Sequence, residues 1–497
     1  MVLRSINQAT VMPGRASLTC VSIIVRAFLS INSGVLRMSQ SKRPNILLLK
    51  ADDQRFNTIN AVGGAPVTPN LDRLVEEGCT FTRAHNMGSE HGAVCVPARS
   101  MLHSGRSLFH LDGPGGMTRD HPTLPEFFGE AGYRTFATGK WHNGPEAFNR
   151  CYAEGKSIFF GGMDNHWNVP IVDRHPLDEY PEPGSHGFRP GGNRVLEPRS
   201  RIFERYSSGT HSSELFAQTV IDFLREHDRS NDDRPFFAYG AFMAPHDPRT
   251  APGEYHAMYD PGPVELPRNV FEEHPFDNGH IHGRDEDLAS HPRDVDEVRR
   301  HIADYYAMIT HLDAQVGRVL ETLSQLGQRD NTIVIFTADH GLAVGQHGLM
   351  GKQNVYDHSV RIPLVFRGPG IPEGTTRDAF TYHQDLYPTI AALAGMSAPD
   401  SLDGDSLSSV IKDDAAGHRD TAFTAFGETQ RAVSTDRYKL IENFPDAERR
   451  TQLFDLHNDP TETTNLADDS AHRDDIERLR KRLDTWRETV DDPALKA

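Results

Sequence analysis

The sequence predicts an α/β protein. Its core is a large, mostly parallel but mixed sheet with helices on both faces, and a smaller C-terminal α+β subdomain contains an antiparallel sheet. Three observations carry this prediction. From Pro44 onward, short apolar runs alternate with amphipathic helical patterns, the signature of strands joined by crossover helices. Several runs close on reactive residues, as strands of open α/β sheets do at their ligand-bearing carboxyl ends. After Gly395 the pattern changes to short strands in close succession, which sets a boundary near residue 400. At 497 residues the chain is long enough for a large core and too long for one ordinary domain. Residues 44–400 are therefore expected to form a catalytic domain and 401–497 a subdomain with a closing helix.

Residues 1–43 stand apart. The first 40 contain no Asp or Glu, and Arg4, Arg15, Arg26 and Arg37 are spread through them. Arg26 interrupts the apolar run Val21 to Leu29, and no small-residue cleavage site follows, so this is a poor secretory signal. A basic leader and a true start at Met38 both remain open, as do cytoplasmic and periplasmic or secreted locations. Asn45–Leu49 reads as the first strand. Thr68-Pro69 caps a helix through Leu71 and Leu74. Leu124–Ala131 is a helix ended by Gly132, and Tyr133–Ala137 is a strand. Glu214–Glu226 places Leu215, Phe216, Val220, Phe223 and Leu224 on one helical face. The strand Phe236–Met243 follows, then a long helix from Val298 to Leu326 and the strand Thr332–Thr337. Ala422–Phe426, Ala432–Thr435, Tyr438–Ile441 and Leu453–Asp455 form a meander before a helix over Asp474–Thr489. Two stretches rich in Gly, Pro, His and Asp, Phe159–Pro198 and Pro245–Pro292, resist this pattern and read as pocket-building insertions.

Composition narrows the function. The formal net charge of −18 argues against a broad basic surface for nucleic acid. An anionic substrate must then be held by local cations. No run of ~20 apolar residues is present to span a membrane. Four cysteines, Cys20, Cys79, Cys95 and Cys151, are too few and scattered for a disulfide framework. Cys79 and Cys151 read as small buried hydrophobes.

Four strands end in reactive residues: Asp52-Asp53, Gly139-Lys140-Trp141-His142, Pro245-His246 and Asp339-His340-Gly341. Any one of them has a bland explanation as a turn, a cap or a structural histidine. Four at one sheet edge are much harder to explain so, and two of them, Asp52-Asp53 and Asp339-His340, outline a metal site of three carboxylates and an imidazole. Cys95-Val96-Pro97-Ala98-Arg99 adds a second context. Pro97 suits the first turn of a helix running to Gly105, so Cys95 lies at an N-terminus that favours a bound anion. Arg99 follows one turn along.

These motifs resemble those of type I sulfatases of the alkaline-phosphatase-like superfamily. The resemblance covers roughly residues 44–470. It includes Pro44-Asn45, Asp52-Asp53, Thr68-Pro69-Asn70-Leu71-Asp72, the Cys95–Arg99 pentapeptide with Ser104-Gly105, Gly139–His142, Pro245-His246, Asp339-His340-Gly341, and Gly351-Lys352 before Arg361-Ile362-Pro363. Thr435–Leu440 and Leu453–Leu456 resemble the family's ending. The resemblance implies that a formylglycine-generating maturation enzyme converts Cys95 to formylglycine, whose hydrate is the nucleophile. It implies one divalent cation held by Asp52, Asp53, modified Cys95, Asp339 and His340. Oxygen donors suit Ca²⁺ first and Mg²⁺ second. His340 departs from the amide of many relatives and admits Mn²⁺ or Zn²⁺. Lys140 and Lys352 would clamp sulfate oxygens and Arg99 would orient the diol. His142 would accept the proton when sulfate is expelled, and His246 would protonate the leaving alcohol. Asp339 is a further candidate to accept the diol proton.

Three readings follow. The first is an exo-acting sulfatase on sulfated carbohydrates or other organic sulfate esters. The second is a phosphonate monoester or phosphodiester hydrolase on the same scaffold. The third is a sulfated-glycan-binding protein whose Cys95 is never modified. Asp164, His166, Trp167, Asp247 and Arg249 are candidates for contacts to sugar hydroxyls, Trp167 as a stacking face and Arg249 as a substrate-binding cation. Each could equally be a solvated loop residue.

Overall fold

The computed structural model describes residues 43–495 except 114, 187–198, 231 and 446–448. The leader expected over residues 1–43 lies, but for Arg43, outside the described residues. The nine strands of the main sheet are β1 (Asn45–Ala51), β2 (Cys79–His85), β3 (Arg134–Lys140), β4 (Glu154–Phe159), β5 (Phe236–Ala241), β6 (Thr332–Ala338), β7 (Arg361–Arg367), β8 (Thr375–Arg377) and β9 (Thr381–Tyr382). Their order is β8-β2-β7-β6-β1-β5-β3-β4, with β9 also paired to β2. The run from β6 to β4 is parallel, and β7 is antiparallel to both β6 and β2. The sheet is thus mixed, as expected.

β1 sits at the centre because every one of its side chains is buried. Ile46, Leu47, Leu48 and Leu49 face both layers of helices with no exposure, which is how a strand covered on two faces reads in sequence. Each such aliphatic side chain contributes about 1.5–3 kcal/mol by leaving water. One helical layer contains Pro69–Glu76, Ser212–Arg229 and the long Val295–Gln325. The other contains Cys95–Ser104, Leu124–Glu130 and Leu386–Leu393. The cap expected at Thr68 is present by position, with Pro69 at the first helical residue. At Thr123, which caps Leu124–Glu130, the Glu126 carboxylate reaches back to accept from the Thr123 N–H.

β2, β4 and β7 were not anticipated as strands. β7 carries Pro363, which cannot donate to a ladder and argues against a strand. The structure accommodates it at a register shift between Ile362 and Leu364. A second shift falls in β3 between Ala137 and Gly139. Gly139 has φ +91, and a Cβ there would lie 1.9 Å from the Ala241 carbonyl oxygen. Only glycine fits, and the distortion delivers Lys140 and His142 at the strand end.

The second sheet runs Arg450–Asp455, Tyr438–Asn443, Gln430–Ser434, Ala422–Phe426 and Gly88–Ser89. Its four C-terminal strands are antiparallel neighbours, as the meander predicted. Gly88–Ser89, from the segment leading to Cys95, pairs parallel with Ala422–Phe426. The closing helix Arg473–Thr489 packs Ile476, Leu479 and Leu483 on Val433, Leu440 and Leu453.

Candidate active site and metal centre

Adjacent parallel strands β6, β1 and β5 end together. The chain leaving β1 is tied to both neighbours: Asp52 N–H donates to the Ala244 carbonyl (3.1 Å), and Asp339 N–H to the Ala51 carbonyl (3.3 Å). Asp53 then turns back with φ 67, a left-handed conformation that Asp tolerates better than most residues. Its N–H and that of His340 both donate to Asp339 Oδ1, at 3.1 and 3.0 Å. Three carboxylates are thereby held at one edge with no solvent exposure.

The helix Cys95–Ser104 points its N-terminus at this edge, and Gly105 closes it in the left-handed region. Cys95 Sγ lies 3.6 Å from Asp52 Oδ1, 3.5 Å from Lys140 Nζ and 3.2 Å from His340 Nε2. The His142 ring adjoins the thiol. Arg99 donates to Asp52 Oδ2 (2.7 Å), Asp339 Oδ2 (3.4 Å), the Lys140 carbonyl (2.7 Å) and the Tyr239 hydroxyl (3.0 Å). The arginine therefore braces two carboxylates and the end of β3. Lys140 pairs with Asp52 Oδ2 at 2.6 Å. Lys352 Nζ lies 2.8 and 2.9 Å from the Asp53 oxygens and 2.9 Å from His246 Nε2.

The electrostatics follow from burial and neighbours. Burial opposes a Cys95 thiolate, but Lys140, Lys352 and His340 outweigh it and hold the thiol well below its ordinary pKa. Burial raises Asp53 to about 6 against the pull of His246, Lys352 and His340. Burial and the Asp52 charge raise Asp339. Burial likewise opposes charge on His340, yet Asp339, Cys95 and Asp53 lift it to about 9. His246 is raised well above its usual value, with Asp53 and Asp247 outweighing desolvation. Its Nδ1 faces two acceptors, the Asp247 carbonyl (2.9 Å) and Oδ1 (3.1 Å). Nδ1 therefore carries a proton, and Nε2 is the atom turned to the site.

The donor set fits a divalent cation. Ligand atoms of Asp52, Cys95, Asp339 and His340 lie within 4.8 Å of one another, as do those of Asp52, Asp53, Cys95 and His246. Carboxylate oxygens dominate, which is hard-ion chemistry. Like charges crowded in a dry site are what a cation relieves.

The candidates outside this cluster fare differently. His166 corrects an expectation: it is fully buried, with Nδ1 on Ser212 Oγ (2.7 Å) and Nε2 on the His246 carbonyl (3.0 Å). Both ring nitrogens are used, so it shapes the His246 turn and has no ring nitrogen left for a sugar hydroxyl. Asp247, 4% exposed, is likewise turned onto His246. Asp164 Oδ1 accepts from the Asn165 N–H at 2.8 Å. Trp167 is half-buried, edge-on to the His211 ring at 5.1 Å. Arg249 Nη1 meets His301 Nδ1 at 3.0 Å, while its Nε and Nη2 are buried without a hydrogen-bond partner. Sequence reasoning missed Tyr239, and it missed Tyr305, whose hydroxyl donates to the Asp53 carbonyl (2.6 Å) and accepts from Arg55 N–H (2.9 Å). Both are buried tyrosines in apolar contexts, and nothing local in the sequence distinguishes them. Lys50 was also missed. Burial and Arg99 lower it to about 7, and its Nζ has no hydrogen-bond partner.

With this geometry in place, comparison with known proteins is decisive for class. The Sulfatase family model matches residues 44–396, and that of the N-sulphoglucosamine sulphohydrolase C-terminal region matches 345–489. The chain is 30% identical over 471 residues to the uncharacterized sulfatase YidJ of Escherichia coli (strain K12), covering 91% of this chain and 88% of that one. The chain belongs to the sulfatase family and is a sulfuric ester hydrolase. Among solved structures it shares the fold of an enzyme in complex with its substrate D-glucosamine-2-N,6-O-disulfate. The TM-score is 0.73 at 21% identity, covering 92% of this chain and all (100%) of that one. It also shares the fold of the phosphonate monoester hydrolase of Agrobacterium radiobacter, at TM-score 0.69 and 23% identity, covering 90% and 96%.

Proposed function

We propose that the protein is a formylglycine-dependent, metal-assisted sulfatase acting from the end of sulfated carbohydrates. The observation that carries this is the convergence of Cys95, two lysines, two histidines and three carboxylates in one buried site. In this reading Sγ of Cys95 marks where the hydroxyls of the formylglycine hydrate sit, one to attack sulfur and one to expel sulfate. Asp52, Asp53, Asp339 and His340 would hold the cation, Ca²⁺ before Mg²⁺ or Mn²⁺, which supplies charge neutralisation at the sulfate oxygens. Lys140 and Lys352, which pair with Asp52 and Asp53, would clamp the sulfate oxygens. Each is expected to supply ~10²–10³-fold, the range for a preorganised donor at a site of developing charge. Arg99 keeps Asp52 and Asp339 in register. His142, beside the thiol position, takes up the proton as sulfate leaves. His246 Nε2 donates to the departing alcohol, its Nδ1 proton anchored on Asp247.

The carbohydrate reading is supported by the polar insertions around the site and by a fold shared with an enzyme whose substrate is a sulfated glucosamine. A phosphonate or phosphodiester hydrolase is the second reading, favoured by the fold shared with a phosphonate monoester hydrolase. The test is twofold. Protein made with maturation machinery should give a Cys95 peptide mass of the aldehyde, and Cys95→Ala should remain folded yet lose nearly all turnover. The matured enzyme should hydrolyse members of a sulfated mono- and oligosaccharide panel faster than phosphate diesters. Full activity with an unmodified thiol, or a preference for diesters, defeats the reading.

A further inference from the structure

The insertion Pro245–Pro292 opens on His246 in the site and returns to it through the short helix Arg284–Leu288. Asp285 there puts Oδ2 3.6 Å from Lys352 Nζ. The same oxygen accepts from Gln353 Nε2 at 3.1 Å, and that amide nitrogen also donates to the Gly92 carbonyl (3.1 Å), three residues before Cys95. The Asp285 side chain is 12% exposed, so the carboxylate is seated but reachable. The next residue bolts the helix down. Glu286, 2% exposed, accepts from the Met350 and Gly351 N–H groups at 2.7 and 2.8 Å and pairs with Arg293. Arg293 Nε in turn donates to the Gly348 carbonyl at 2.9 Å. The helix is therefore fixed to the loop that carries Lys352. Arg284 enters it with φ 54, and its guanidinium lies against Gly92. A non-glycine residue held in that region is strain of the kind that collects at functional sites.

We propose that Asp285 is a specificity-determining residue that accepts a hydrogen bond from the hydroxyl or amine next to the sulfated carbon. The inference rests on the sulfatase reading above. The leaving oxygen has to sit by His246 Nε2, which is 2.9 Å from Lys352 Nζ. A substituent on the adjacent carbon that turns to the Lys352 side meets Asp285 as an acceptor already in place. A sugar presents a donor there. A plain aryl ester does not.

The experiment compares three sulfate esters: a sulfated sugar with a free vicinal hydroxyl, its deoxy analogue at that carbon, and an aryl sulfate. Wild-type enzyme should prefer the hydroxylated sugar over the deoxy analogue by ~10–10²-fold in kcat/KM, the range for a hydrogen bond to a charged group. Asp285→Ala should erase that preference, costing the hydroxylated sugar ~10–10²-fold more in kcat/KM than it costs the deoxy analogue or the aryl sulfate. Asp285→Asn keeps the size and serves if the alanine variant melts early. Equal losses on all three esters would reduce Asp285 to a support for Lys352 and overturn the proposal. So would a wild-type enzyme indifferent to the hydroxyl while fully active on aryl sulfate, a result that leaves the sulfatase reading intact. No hydrolysis of any sulfate ester by matured protein would sink both.

Discussion

His246→Ala is the sharpest probe of the proposed chemistry. The residue is 6% exposed, its Nδ1 is committed to Asp247, and only Nε2 reaches the site. Removing the ring has two effects. It deletes the proton donor to the leaving alcohol, an effect of ~10²–10⁴-fold for a positioned acid, or about 2.7–5.5 kcal/mol at 1.36 kcal/mol per decade. It also strips Asp53 and Asp247 of a buried positive partner, and that loss falls on every substrate alike. The two separate by leaving group. A sugar alkoxide is a poor leaving group and needs the proton, whereas a nitrophenolate leaves unaided. In kcat/KM on a matched pair, the sugar sulfate should lose at least ~10²-fold more than the aryl sulfate. Equal losses would assign His246 to sulfate binding or to the packing of Asp53, and remove it from the acid role.

Two further outcomes are expected. Chelation should abolish turnover and Ca²⁺ or Mg²⁺ should restore it, with Asp53→Ala raising the cation concentration needed; unchanged rates in metal-free protein would end the metal proposal. His347, stacked 4.0 Å from the Tyr356 ring with Nε2 on the Glu462 carbonyl, is held by burial near pKa 3. It is neutral when folded, and the unfolded chain protonates it near 6.5. Its contribution is whole above pH 6.5 and is lost as pH falls toward 3, roughly 2 kcal/mol by pH 5 at 1.36 kcal/mol per pKa unit. The Tm advantage of wild type over His347→Phe should shrink across that window, and a pH-independent difference would refute this.

The centre of the sheet was legible in the sequence because β1, β5 and β6 are buried on both faces and read as unbroken apolar runs. β2 escaped because Thr80, Thr82 and Arg83 break its apolar character, and β7 because Pro363 signals against a strand. The reactive strand ends were visible as motifs, since one strand supplies each motif intact. Asp285 was not visible: it meets Lys352 only after the 66 residues between them fold back, and its acid-rich neighbourhood looks like any solvated loop. His166 misled for the opposite reason, since a loop histidine gives no sign in sequence that both its nitrogens are spent.

The pairing of Gly88–Ser89 with Ala422–Phe426 also dictates timing. A ribosome releases the chain from its N-terminus, so the segment leading into Cys95 finds its neighbour in the small sheet only once some 85% of the protein has emerged, a scale set by vectorial synthesis at ~5–20 residues per second. Until then the strand pairing that anchors the segment leading into position 95 is missing. In the finished fold Cys95 is 3% exposed and walled in by charged side chains. Any enzyme that alters this cysteine thus meets a deadline written into the topology. Slower translation between residues 95 and 426 would lengthen that interval, and a version of the chain with its C-terminal strands moved forward would close it early.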